Sequence, residues 1–111
     1  MKIRIGDSGG IETSSYDTKG FDSQGHNGTH TDATDGWLIE EQVGGGCSFT
    51  GQIFFTLQDA TNHHWVATGN FQNGLSYGFT GGDKALSAEL TQLQIVSGTT
   101  LDAGTINALY I

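Results

Sequence analysis

The stretch FTGQIFFTLQDATNHHWVATGNFQ, residues 49–72, decides the fold of this chain. From Phe49 to Gln58 apolar and polar residues alternate, which is the period of a β-strand with one buried face. Residues 59–62 then supply turn formers, and the alternation resumes from His64 to Gln72. The segment therefore predicts a β-hairpin, and its buried face carries Phe49, Ile53, Phe55, Leu57, Trp65, Ala67 and Phe71.

Short strand-like segments separated by glycine-rich turns occupy most of the remaining chain. In the first of them Ile3 and Ile5 are predicted to face inward, with Lys2 and Arg4 on the other side. Further strands are predicted over 11–16, 37–43, 75–79 and 105–111, with a turn over 81–83. Residues 84–95 fit both a helical and a strand period, and the neighbouring strands favour a strand.

Between Asp17 and Gly36 the chain is nearly free of aliphatic residues and carries only Phe21 and Ala33 as apolar side chains. We predict one long 17–36 loop there, and loops of this length usually serve function or pack against a partner. Seven or eight short strands and no clear helix predict an all-β fold, an antiparallel β-sandwich of jelly-roll type, with residues 1–111 as a single domain.

The composition narrows the classes of partner. The chain of 111 residues has a formal net charge of −8, so its surface repels phosphate backbones and anionic lipid headgroups. Nucleic acid and membrane are therefore not expected as partners. Cys47 is the only cysteine, which excludes a disulfide within the chain and is typical of a small buried thiol. No apolar run has the length of a signal peptide, so we expect a protein of the cytosol or of a particle assembled there.

Two segments resemble the β-sandwich modules of bacteriophage tail fibres and other virion surface proteins. KIRIGDSGGIETSSY, residues 2–16, is similar to their strand–turn–strand unit, and ALSAELTQLQIVSGTTLDAGTINALYI, residues 85–111, is similar to the end of the same modules. The matching positions are Ile3, Arg4, Gly9, Gly10, Leu93, Ile95, Ser97, Gly98, Gly104, Thr105, Ile106, Leu109 and Tyr110.

The resemblance implies a non-enzymatic structural module on the virion surface, assembled in the host cytoplasm, that decorates the capsid or forms part of a fibre. Its partners would be other virion subunits in an oligomer. The family module usually carries further strands before the one that begins at Lys2, so the resemblance implies either a shortened module or a partner chain that supplies the missing strands. We expect a neighbouring chain to cover the first strand. The alternative is a receptor-binding module of a tail fibre that recognises a cell-surface glycan.

Several residues are candidates for an interface. Phe54 and Tyr77 are apolar residues predicted on a polar strand face, where they need either a partner or cover from a second buried face. The first strand is a candidate because the resemblance implies that its edge is open to pairing. The last predicted strand is a candidate because it is strongly apolar. The predicted interface residues are Lys2, Arg4, Phe54, Tyr77, Leu109, Tyr110 and Ile111.

A glycan could instead be bound by His63 and His64 together with Tyr77, because a histidine beside an aromatic residue can flank a sugar and a solvent-facing tyrosine offers a ring for stacking. Trp65, which follows these histidines, is predicted in the core because it is in register with Ala67.

His26, His30, Asp32 and Asp35 form the single metal-like cluster in the sequence. Loop spacing does not fix ligand geometry, and these residue types are common in solvated loops, so we expect no metal site there. No nucleophile or phosphate-loop motif is present, so we expect neither catalysis nor a cofactor.

Overall fold

The computed structural model describes residues 1–23, 29–39, 48–74, 76–98 and 100–110. Within this part of the chain there are nine β-strands and no helix, so none of it offers an apolar helix long enough to cross a membrane. The strands are β1 Lys2–Asp7, β2 Gly10–Ile11, β3 Asp17–Asp22, β4 Thr29–Ala33, β5 Trp37–Leu38, β6 Thr50–Asp59, β7 His64–Gln72, β8 Tyr77–Ala85 and β9 Gln92–Val96.

Five of these strands form one antiparallel sheet in the order β4-β3-β8-β7-β6. The predicted hairpin is confirmed: β6 and β7 pair with Phe54 opposite Thr68 and Leu57 opposite Trp65, followed by a bulge before Asp59. The faces of β6 also divide as expected, but its inner face is incompletely covered. Ile53 and Phe55 are half-buried against the core, and Leu57 is exposed.

The second sheet is built around β1. Strand β9 pairs along one edge of β1, while β5 and then β2 share its other edge, meeting it at Ile3 and at Gly6 respectively. The expectation that the first strand leaves an edge open to a neighbouring chain is therefore wrong, because both edges of β1 are paired within the chain. Its alternation is confirmed, since Ile3 and Ile5 are both buried.

The two sheets pack against each other and confirm the all-β sandwich, while its jelly-roll form stays a prediction. The core between them contains Ile5, Tyr16, Trp37, Ala67 and Leu86. The half-buried side chains of Ile53, Phe55, Trp65 and Leu90 pack around this cluster, which places Trp65 on the core side as its register indicates.

The prediction of one 17–36 loop is wrong, because residues 17–22 and 29–33 pair as the antiparallel strands β3 and β4. The sequence gives no sign of these two strands, because Thr18 and Gly20 occupy inward positions where an aliphatic residue is normally found. At Gly20 an added Cβ would lie 3.2 Å from the Leu38 side chain, a close contact to which Leu38 would have to adjust. The buried Thr18 hydroxyl lies 2.7 Å from the Gly36 carbonyl, which satisfies it without water.

Three other boundaries also differ from the sequence predictions. Residues 81–83, predicted as a turn, continue β8 because Gly82 takes the positive φ of 142° that the strand needs beside β3. Of the predicted strands over 11–16 and 37–43, only Ile11 and β5 are in strand conformation among the described residues. Residues 105–110 form no strand and are exposed along their whole length.

Candidate binding face

Alternate residues of the five-stranded sheet point away from the sandwich. Their neighbours in sequence, such as Ala67 and Thr80, are buried, so the period-two alternation of each strand exposes the residues between them. The exposed set is unusually aromatic, with Phe54 62%, Phe79 49%, Tyr77 43% and Phe21 37% accessible. We call the following residues the outer face: Phe21, Gln52, Phe54, Asn70, Gln72, Tyr77 and Phe79.

Three of the aromatic rings contact one another. Phe21 on β3 lies opposite Phe79 on β8, and their rings stack with centroids 5.3 Å apart and planes 19° apart. Tyr77 meets Phe79 edge to face, with centroids 5.4 Å apart. Such pairs add to the stability given by area burial alone, so the three rings form one ordered apolar strip across two strands.

Amide side chains surround one end of this strip. Gln52, Asn70 and Gln72 line, with Tyr77, a shallow groove of about 270 Å³ at the ends of β6, β7 and β8. The Asn70 amide approaches the Tyr77 hydroxyl at 3.4 Å. This end of the outer face therefore combines aromatic surface with hydrogen-bond donors and acceptors and has no charged lining residue.

Charged residues follow the aromatic strip on the same sheet surface, beginning with Lys19, which lies two residues from Phe21 on the same side of β3. Lys19 pairs with Asp32 at 3.1 Å, and the His64 ring nitrogen Nε2 lies 2.5 Å from Asp83. His64 is eight positions along β7 from Gln72, the cross-strand partner of Tyr77, which corresponds to roughly 26 Å.

The structure consequently does not bring the predicted glycan-binding residues together. His63 lies in the turn before β7 with a positive φ of 51°, and both histidines are remote from Tyr77. Phe54 and Tyr77, predicted as interface residues, do share the outer face.

The other candidate residues have different surroundings. The Asp35 carboxylate accepts hydrogen bonds from Lys2 Nζ at 2.7 Å and from Arg4 Nη2 at 3.1 Å. The hydrogen bond from Lys2 is the main reason that the pKa of Asp35 lies below the usual range. The predicted interface residues Lys2 and Arg4 thus bind an acid of their own chain. Of the predicted metal ligands, Asp35 is therefore in ion pairs with Lys2 and Arg4, and Asp32 is in an ion pair with Lys19.

His26 and the side chain of His30 lie outside the described part of the chain, as does Ile111. Among the side chains that are described, no three histidine, cysteine or acidic groups converge on one point. Leu109 and Tyr110 are almost fully exposed and belong to none of the described strands.

A second polar cluster joins the two sheets. Lys84, buried on β8, pairs with Glu12 at 2.5 Å, and its ammonium lies 5.2 Å from the Tyr16 ring centre. The Ser87 hydroxyl lies 2.5 Å from Asp7 and 3.1 Å from Glu12. These groups satisfy one another, so the cluster ties the sheets together and shows no activated nucleophile.

The cluster also sets the pKa values of its two acids. The hydrogen bond from Ser87 lowers the pKa of Asp7. Burial pushes the pKa of Glu12 upward, but hydrogen bonds from Lys84 and Ser87 outweigh it and the net shift is downward. Both carboxylates are thereby held in the ionised form that the cluster needs.

Sequence reasoning missed Phe21 and Phe79 as members of the outer face. The available signal was the alternation Tyr77-x-Phe79-x-Gly81, which runs through the glycines that were predicted as a turn. Comparison of the chain with family models, with curated proteins and with solved structures finds no match.

Proposed function

We propose that this protein is a non-enzymatic structural module of a virion surface, either a capsid decoration protein or a fibre subunit, that attaches to neighbouring subunits through its outer face. The aromatic strip of Phe21, Tyr77 and Phe79 carries the proposal. A contiguous, exposed aromatic patch without charged residues has the composition of the centre of a protein interface. The virion setting is supported by the resemblance of residues 2–16 and 85–111 to phage modules.

The ring geometry favours a protein partner over a sugar. A sugar ring packs on the open face of an aromatic ring, but Phe21 and Phe79 turn their faces toward each other. What they present together is a ridge of apolar edges, which fits between the side chains of another protein. Phe54, three strands from Phe21 and 62% exposed, extends the apolar surface toward β6.

The test is to count the chain on virus particles purified from its source, with mass spectrometry as the readout. Phe79→Ser should lower the number of copies per particle at least tenfold because it removes the centre of the strip. Leu93→Ser is the matched control, since Leu93 is a similarly exposed apolar residue on the other sheet and should leave the copy number unchanged.

Two results would overturn the proposal. Absence of the wild-type chain from the particles would remove the virion setting. Undiminished incorporation of Phe79→Ser would show that the attachment surface lies elsewhere.

Glycan binding is the second candidate, and the groove beside Tyr77 favours it. Gln52, Asn70 and Gln72 offer amide groups that pair with sugar hydroxyls in both donor and acceptor directions. A glycan array should then give signals that Gln72→Ala abolishes and Phe54→Ser retains, because Phe54 does not line the groove.

A further inference from the structure

Strand β6 leaves one long edge of the five-stranded sheet unpaired among the described residues. It pairs with β7 on its other side and with no further described strand. Natural sheets usually guard such an edge with lysine, proline or a short strand. From Thr50 to Gln58 this strand has no charged residue and no proline, and its bulge comes only at the end, before Asp59.

The opposite edge of the same sheet shows what a guarded edge looks like. Strand β4 is half as long, with five residues against ten, and its Asp32 is paired with Lys19. The contrast marks β6 as the edge that is ready to accept another strand.

Apolar side chains on both faces of β6 are also exposed to solvent. Leu57 on the inner face is 44% exposed and Phe54 on the outer face is 62% exposed, although both belong to the best-defined hairpin of the fold. An additional strand beside β6 would shield apolar surface on both faces.

The chain itself contains a segment with the properties of such a strand. Residues 100–110 are exposed throughout and pair with no described strand. Residues 103–110 have no charge, and from Thr105 to Tyr110 they are rich in residues that suit strands. Ile106 is 69%, Leu109 86% and Tyr110 96% accessible, which is a large apolar exposure for a segment without a partner.

We propose that residues 105–110 of one copy add as an antiparallel strand to the β6 edge of a second copy. In one antiparallel register Ile106 lies beside Leu57 and Tyr110 beside Ile53 on the inner side, while Leu109 lies beside Phe54 on the outer side, so both apolar faces of β6 gain cover. Six residues span about 20 Å, which the ten-residue β6 accommodates. Reciprocal exchange closes a twofold dimer.

Charge supports the pairing of these two segments. Each copy has a net charge of −8, so copies repel one another over most of their surface. Residues 103–110 and 50–58 are both uncharged, and contact between them keeps the acidic surfaces apart. The association should therefore tighten as added salt screens the remaining repulsion.

This inference does not depend on the aromatic strip of Phe21, Tyr77 and Phe79, and its test separates the two proposals. Sedimentation velocity should show the wild-type chain of 11.7 kDa as a dimer. Hydrogen exchange should then show protected amides along Thr50–Gln58. Ile106→Pro removes a backbone donor and should raise the dimer dissociation constant at least tenfold and deprotect β6. Phe54→Lys should have the same two effects, because it places a charge on β6, the strand beside which the added segment pairs.

Leu101→Pro is the matched control, because it places the same change in the exposed segment outside the pairing residues, and it should leave the dimer intact. A monomeric wild-type chain at millimolar concentration would overturn the inference. So would a dimer that survives Ile106→Pro, and its loss in Phe79→Ser would then assign the contact to the outer face instead.

Discussion

The hydroxyl of Tyr16 occupies the place of a missing strand beside Ile5. The Ile5 N–H donates to it over 3.0 Å, and the hydroxyl lies 3.1 Å from the Ile5 carbonyl and 2.8 Å from that of Glu12. This position falls in the gap between β5, which pairs with the start of β1, and β2, which pairs with its end. Burial raises the pKa of Tyr16, so the group stays neutral and keeps the proton with which it donates.

Tyr16→Phe should therefore destabilise the fold by about 1–3 kcal/mol, since it leaves the Ile5 N–H buried without its partner. The free energy of unfolding from urea titration is the measurement. Tyr77→Phe is the control, because that hydroxyl is exposed and makes only a 3.4 Å contact, and it should change stability by less than about 0.5 kcal/mol. Equal effects of the two changes would contradict this role of Tyr16.

Phe55 and Phe54 are neighbours on β6 that face opposite sides of the sheet. Phe55 packs edge to face on Trp37, with ring centroids 5.2 Å apart, whereas Phe54 is exposed. Phe55→Ala should cost about 2–3 kcal/mol, somewhat less than for a fully buried ring. Phe54→Ala should cost the monomer less than about 1 kcal/mol. Denaturant unfolding at low protein concentration compares them, and a reversed order would mean that the faces of β6 are assigned wrongly.

The hairpin could be predicted from sequence because its apolar alternation is strong and its turn is polar, so local pattern and tertiary packing agree. The β3–β4 hairpin could not, because Thr18 and Gly20 fill inner positions and the apolar signal is missing. Gly82 was misleading for the opposite reason: β8 passes close to β3 there and needs glycine, whereas in the sequence alone the Gly81–Gly82 pair indicates a turn.

The candidate face was predictable only in part. Phe54 and Tyr77 could be identified because they break a polar alternation. Their relation to Phe21 depends on the order of strands in the sheet, which places β3 beside β8, and no local pattern specifies that order. The ion pair of Lys84 with Glu12 is likewise a contact between sheets that local spacing does not reveal.

Gly82 provides a test of the close approach between β8 and β3. A Cβ at this position would overlap the Asp17 carbonyl oxygen and the φ of 142° disfavours any other residue, so Gly82→Ala should cost about 2 kcal/mol or more. At Gly81 the nearest atoms are 3.9 Å from such a Cβ, and Gly81→Ala should stay within about 0.5 kcal/mol of wild type. Thermal unfolding followed by circular dichroism checks both variants, and tolerance of Gly82→Ala would argue against the observed register.

Acid should destabilise the protein through Asp7, Glu12 and Asp35. The pKa of each is lower in the folded state than its usual value, so each favours folding above about pH 4.5 and loses that contribution as pH falls through the folded pKa. The free energy of unfolding in urea should thus decline from about pH 5 toward pH 3. Asp35→Asn should show a smaller decline, because one of the three acids no longer titrates. A flat profile in the wild-type protein would contradict the assignment.

The separation of the two sides of the five-stranded sheet has a consequence for how the protein can evolve. Along β6, β7 and β8 every second residue faces the core, and the residues between them face the solvent. Residues of the outer aromatic strip can therefore be substituted one at a time while the inward residues preserve the fold. This independence would let the outer face change together with a binding partner. Proteins that diverge from this one could then keep the same fold and differ in their outer faces.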